Sequence, residues 1–157
     1  MSVDQVTTAR VGYLIKRAQM VLHDAMVDAL GSDDLTVTQF AVLTALDDEP
    51  GLSNADLARR AFVTPQSMHA VLQELERLRF VVRRTHPQHQ RILQAALTEA
   101  GRRTLRSAAD EVTAVEEQML RKLSDPARSR LASALSSCID ALTETPTSFR
   151  RSSTPAT

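Results

Sequence analysis

The sequence predicts a mainly α-helical fold with one small β-hairpin, and three observations lead there. Helix formers dominate a chain with few aromatic residues, apolar side chains recur at three-and-four spacing along most of its length, and one short interval trades that period for extended, β-branched segments around a polar, proline-containing tip. At 157 residues the chain suits one domain of ordinary size; with 4 Gly, 1 Tyr, 4 Phe and no Trp, its core must be aliphatic.

The first element is a long helix. Val11, Leu14, Ile15, Ala18, Val21, Leu22, Ala25, Met26 and Ala29 fall on one face, Gly31 is placed to stop it, and Ser32-Asp33-Asp34 reads as a loop. Three short helices follow. Thr36 with Gln39 forms a capping box ahead of Phe40, Leu43 and Leu46, and Ser53 with Asp56 gives a similar start ahead of Leu57 and Ala58; Glu49-Pro50-Gly51 separates the two. Thr64-Pro65, a cap followed by proline at the first helical position, opens the third, which runs through Met68, Val71, Leu72, Leu75 and Leu78 and turns Gln66, Ser67, His69, Ala70, Gln73 and Arg77 the other way.

Phe80-Val81-Val82, polar THPQHQ and Ile92 to Leu97 make the hairpin. Thr98 caps a further helix with apolar positions at Leu105, Ala108, Ala109, Val112, Val115, Met119 and Leu123. Ser124-Asp125-Pro126 breaks it and starts a last helix carrying Leu131, Ala134, Leu135, Cys138, Ile139 and Leu142; the Ser/Thr/Pro-rich tail, 145–157, is predicted to be disordered. The organisation expected is one domain over 1–144, with a central unit near 35–98 flanked by helices near 5–30 and 99–144.

The total charge of zero hides a strong asymmetry. Residues 1–56 carry 3 basic and 9 acidic side chains, net −6; residues 57–106 carry 10 and 3, net +7; residues 107–157 carry 6 and 7, net −1. A basic centre between acidic flanks is the footprint of a surface that meets phosphates. The third short helix suits that surface, because the major groove of B-DNA, about 12 Å wide, admits one α-helix read from its N-terminal end. Thr64, Gln66, Ser67, His69, Ala70 and Gln73 are the residues placed at the base edges or the phosphates beside them, with Arg59, Arg60, Arg77, Arg83, Arg84 and Arg91 as phosphate candidates and Arg91, at the hairpin tip, aimed at a minor groove. One such helix discriminates weakly, so the apolar stripes of the outer helices are expected to join two copies into a homodimer.

The run from Leu35 through Gly101, TVTQFAVLTAL, then LSNADLARRAFVTPQSMHAVLQELERLRFVVRR, a wing and LTEAG, resembles the MarR-type repressors, which are winged helix-turn-helix proteins. The resemblance implies an obligate dimer with interlocked terminal helices, double-stranded DNA with a pseudopalindromic operator as partner, and a small aromatic or phenolic effector held between the dimer and reading units. Tyr13, His23 and Phe40 are the pocket candidates, although a histidine such as His23 is more commonly a satisfied core histidine than a ligand contact. Two departures stand out. The family's wing reads Asp-Pro-x-Asp-Arg-Arg where this chain has His86-Pro87-Gln88-His89-Gln90-Arg91, and the family's glycine after the reading helix is replaced by Arg79, whose Cβ makes a left-handed turn costlier.

Other chemistry finds little footing. There is no nucleophile with a His and an acid, no phosphate-cradling glycine loop and no zinc-binding pair, so no enzyme, cofactor or metal is expected; His86 and His89 lack further ligands. Cys138, the only cysteine, is expected as a packed small hydrophobe and not a redox switch. No apolar run reaches the length of a membrane span, and the N-terminus lacks a signal-peptide layout, which points to a cytoplasmic protein. The competing class is a winged helix that docks on another protein instead of DNA.

Overall fold

The computed structural model describes residues 3–31, 34–85 and 93–144; the expected disordered tail, the hairpin tip and Ser32-Asp33 lie outside them. Helices α1 (Val3–Leu30), α2 (Val37–Asp48), α3 (Asn54–Arg60) and α4 (Pro65–Arg77) precede strands β1 (Val81–Thr85) and β2 (Leu93–Leu97), and α5 (Glu99–Leu120) and α6 (Asp125–Glu144) follow. The chain forms two compact units, residues 1–117 and 118–157.

In the first unit the predicted caps set the helix starts. The Gln39 N–H donates to Thr36 Oγ1 at 3.1 Å while the Thr36 N–H donates to Gln39 Oε1 at 2.8 Å, which satisfies a Gln39 side chain that is otherwise buried. Ser53 accepts from the Asp56 N–H, and Thr64 from the Ser67 N–H with Pro65 behind it. Gly31 follows the last residue of α1 as predicted, but Asp34, at φ 53°, takes the left-handed conformation before Leu35 bonds back to the Leu30 carbonyl at 3.3 Å. Aspartate tolerates that region better than most residues.

Two helices end in left-handed turns without glycine. At the end of α3, Phe62 (φ 55°) bonds to the Arg59 carbonyl and Val63 to that of Ala58; at the end of α4, Arg79 (φ 60°) bonds to Glu76 and Phe80 to Leu75. Both patterns close the last carbonyls in a Schellman motif, and both carry the Cβ penalty that glycine avoids.

β1 begins one residue later than the sequence predicts and runs farther, through Arg83 and Arg84 to Thr85; it pairs antiparallel with β2, Val81 facing Leu97 and Arg83 facing Ala95. Phe80 belongs to the junction instead. Gly51, at φ 89°, donates to the Ala95 carbonyl at 3.2 Å and straps the turn between α2 and α3 to β2. A single core fills this unit: Leu30, Val42, Leu43, Leu46, Leu57, Met68, Leu72, Leu75, Val81, Leu97, Leu105 and Val112 are buried together. Gly101 packs so tightly that a Cβ there would lie 2.1 Å from the Phe80 carbonyl oxygen.

The second unit is carried by α6, which exposes Leu131, Leu135, Ile139 and Leu142 along one side. Cys138 is exposed on the same helix, which corrects its expected packing. α5 stops at Leu120, so Leu123 lies in the connection and not on the helix as predicted. Among the described residues no helix is long and apolar enough to cross a membrane.

Two substitutions test these junctions. Gly101→Ala is expected to destabilise the protein by about 3 kcal/mol, because backbone must move to admit the methyl group. Arg79→Gly is expected to stabilise it by about 0.5–1 kcal/mol, the relieved Cβ strain less the added freedom of the unfolded chain. Urea titrations of both variants read the two signs.

Candidate nucleic-acid interface

The site is built on α4. Met68, Leu72 and Leu75 anchor one side of the helix in the core, and that registration turns Gln66, Ser67, His69, Ala70 and Gln73 outward, all exposed. The Thr64 hydroxyl accepts the Ser67 N–H at 3.1 Å and lies 2.9 Å from Ser67 Oγ, so these two side chains form a small hydroxyl pair at the helix start. The Asn54 amide donates to the Pro65 carbonyl at 3.0 Å and ties the first turn of α3 to that of α4. Sequence reasoning passed over Asn54, since nothing local announces a contact eleven residues away.

The arginines present a finding that spacing alone did not show. Arg59 pairs with Asp56 and Arg60 with Glu49. Arg77 holds Glu74 through two bonds, Nε at 2.8 Å and Nη2 at 2.6 Å, and Arg83 reaches Glu76 with Nε at 2.7 Å. Every phosphate candidate whose side chain is described therefore already carries a carboxylate. Arg83 is also mostly enclosed, at 20% exposure, so it is not the free cation expected of a phosphate ligand. Nothing is described of the Arg84 side chain, and Arg91, His86 and His89 lie outside the described residues.

The pairs show in the titration of their members. The Arg77 guanidinium holds the Glu74 carboxyl below the usual range, and the Ser53 hydroxyl, with Arg59 beside it, does the same for Asp56. Glu74 and Glu76 push Arg77 and Arg83 upward in turn. Lowered carboxyl groups stabilise the fold above their ordinary values and lose that contribution as pH falls through their folded ones.

Phe62 also escaped the sequence reading. It is 95% exposed in the turn between α3 and α4, and the signal available was a connection too short to reverse without a left-handed residue, in a segment that contains no glycine.

Of the three pocket candidates, Phe40 alone lines a described cleft. A cavity of about 300 Å³ is bordered by Phe40, Thr44, Asp47, Asp48, Arg102, Leu105, Arg106 and Ala109. Tyr13, 64% exposed, and His23 stand on α1 and do not line that cavity; His23 is exposed, which corrects its reading as a core histidine. Among the described residues no group of three His, Cys, Asp or Glu side chains is placed to hold a metal.

Three short helices, the last with a polar outward face, followed by a two-stranded hairpin define a winged helix-turn-helix protein. The MarR family profile matches residues 33–92. The HTH-type transcriptional repressor Rv2887 of Mycobacterium tuberculosis is 40% identical over 118 residues, 75% of this chain and 85% of the relative. The crystal structure of that protein in complex with p-aminosalicylic acid superposes with a TM-score of 0.69 at 36% identity, covering 81% of this chain and 96% of the other. The repressor CouR of Rhodococcus jostii RHA1, bound to a 23-mer DNA duplex, superposes with a TM-score of 0.76 at 30% identity, covering 82% and 91%. The chain belongs to the MarR family of transcriptional regulators.

Gln66→Ala is expected to relax base preference by about 1–3 kcal/mol at one position of the bound DNA while leaving the salt dependence of binding unchanged. Competition between single-base variants of a duplex measures it. Thermal unfolding is expected to hold its midpoint from pH 8 to 6 and to fall below the usual carboxylate range as Glu74 and Asp56 protonate, with Glu74→Gln losing part of that fall.

Proposed function

We propose that this chain is a DNA-binding transcriptional repressor that works as a cytoplasmic homodimer and is released from its operator by a small aromatic acid. It acts by binding and not by catalysis. The observation that carries the reading is the two-sided construction of α4, core-anchored by Met68, Leu72 and Leu75 and offering Gln66, Ser67, His69, Ala70 and Gln73 to solvent beside a helix N-terminus. Gln66 and Gln73 suit adenine, Ser67 and His69 suit purine acceptors, Ala70 suits a thymine methyl group, and Thr64, Arg77, Arg84 and Arg91 suit phosphates. The DNA complex of CouR supports that use of the fold.

Homodimerisation is supported by apolar surface that stands exposed among the described residues. Val11, Tyr13, Leu14, Ile15 and Val21 stand exposed on α1, and Leu131, Leu135, Ile139 and Leu142 on α6. Several large apolar side chains exposed along one helix mark a protein contact, and a second copy supplies an identical face with two-fold symmetry. Residues 1–144 then work as one regulator, with 35–98 reading and 5–30 and 99–144 joining the copies.

The cleft at Phe40 is the site proposed for the effector. Phe40, Leu105 and Ala109 offer apolar walls for a ring; Arg102 and Arg106 line the same cavity together with Asp47 and Asp48, and since Arg106 reaches Glu99 at 3.7 Å, Arg102 is the guanidinium group that suits a carboxylate. Rv2887 binds p-aminosalicylic acid, a ligand of that description.

Binding of the purified protein to fragments of its own promoter tests the reading. Affinity is expected to fall by about 10³ or more between 50 and 200 mM salt if six or more phosphates are met. Absence of binding at 50 mM would remove the proposal. Leu135→Glu is expected to yield monomers in sedimentation and to abolish tight binding, and Arg102→Gln to leave DNA affinity intact while weakening release by p-aminosalicylate.

A further inference from the structure

The pair Glu76–Arg83 differs from every other ion pair described. Arg59–Asp56, Arg60–Glu49, Arg77–Glu74 and the pairs of Arg103 and Arg106 with Glu99 lie on exposed side chains, whereas Arg83 and Glu76, which join the last turn of α4 to the middle of β1, are only 20% and 31% exposed. Both Nε and Nη2 of Arg83 reach one oxygen, Oε2, at 2.7 and 2.5 Å. Exposed pairs contribute little to a structure, while a charge withdrawn from water needs its partner.

Strand alternation explains why Arg83 is enclosed. Val81 and Arg83 share a face of β1, and Val81 is buried in the core, so Arg83 faces the body of the unit and not the solvent. A two-stranded ribbon is marginal alone. The base of this one is held by Val81, Ala95 and Leu97 in the core and by the Gly51 bond to Ala95 on β2; on β1, opposite Ala95, the hold is Arg83 on Glu76.

We propose that Glu76 and Arg83 are a positioning pair that fixes the angle of the wing against the reading helix, and that Arg83 is not a phosphate ligand. The proposal rests on the DNA-binding reading above. It replaces the expectation that Arg83 touches DNA, and it gives the wing an external hold where the sequence lacks the family's acids within the wing itself. A rigid wing keeps α4 and the hairpin in one register on the duplex; a released one leaves α4 to bind without it.

Removing the carboxylate separates the two roles of Arg83. If Arg83 met phosphate, Glu76→Gln would free the cation and strengthen binding, and Arg83→Gln would make the slope of log affinity on log salt shallower by about 0.9. The positioning role gives the opposite pattern. Glu76→Gln and Arg83→Gln each weaken binding to the promoter fragment by about tenfold, the double variant loses no more than either, and the salt slope stays at its original value. In the free protein, amide hydrogen exchange at 82–85 and 94–96 quickens in Glu76→Gln while that of α2 does not. Tighter binding by Glu76→Gln, a shallower slope for Arg83→Gln or unchanged exchange in the hairpin would overturn the proposal. The exchange measurement reads the pair without DNA, so failure of the unsubstituted protein to bind DNA would strike the function and not this pair.

Discussion

The Phe80 carbonyl is the point on which the reading unit turns. It accepts the Thr98 N–H at 3.0 Å, lies 3.2 Å from the Thr98 hydroxyl, and leaves no room for a side chain at position 101. The Phe80 N–H meanwhile closes the end of α4 on Leu75 at 2.9 Å. One residue therefore ends the reading helix, starts the wing, receives the returning strand and seats the first turn of α5. Thr98 completes the joint, donating to the Arg79 carbonyl at 2.7 Å and accepting the Gly101 N–H at 3.0 Å. The Leu97-Thr98…Gly101 motif is a backbone requirement before it is a family signature: only glycine lets α5 approach that carbonyl. The strained φ of Arg79 is tolerated because the bonds on either side of it over-determine the turn.

From that joint the interface inherits its rigidity and its charge. The +7 of residues 57–106 overstates the free cations available, since Arg59, Arg60, Arg77 and Arg83 each hold a carboxylate. A phosphate that approaches such an arginine must displace or share with an acid already there, so the pairs weaken indiscriminate attraction to DNA more than they weaken contacts made in register. On the proposed reading, base-edge contacts by Gln66, Ser67, His69 and Gln73 then carry a larger share of discrimination. That balance suits a regulator that must leave most of the genome unoccupied.

Much of this was legible in the sequence because it is written in local rules. Thr36 with Gln39, Ser53 with Asp56 and Thr64 with Pro65 name their own helix starts, and the three-and-four spacing of Met68, Leu72 and Leu75 decides which face of α4 looks outward. The same spacing placed Leu131, Leu135 and Ile139 together on α6, although only the structure shows that they stand exposed. The partners of the arginines were not legible: Glu49 with Arg60 and Glu76 with Arg83 meet across turns, and their pairing depends on tertiary geometry. Strand length was missed for a similar reason. The extended segment named from the sequence stops at Val82, whereas the alternation begun at Val81 carries through Arg83 and Arg84, gives Arg83 an inward face, and Glu76 makes that face habitable.

The central claim is that two copies of α4 read one duplex. Selection of preferred sites from random DNA with the purified protein tests it most directly, because it returns both the bases read and the distance between reading units. Enrichment of an inverted repeat, with half-sites centred about 10–10.5 base pairs apart or at a multiple of that spacing, is the predicted outcome. Recovery of no preferred sequence, or of one unrepeated site, would contradict it.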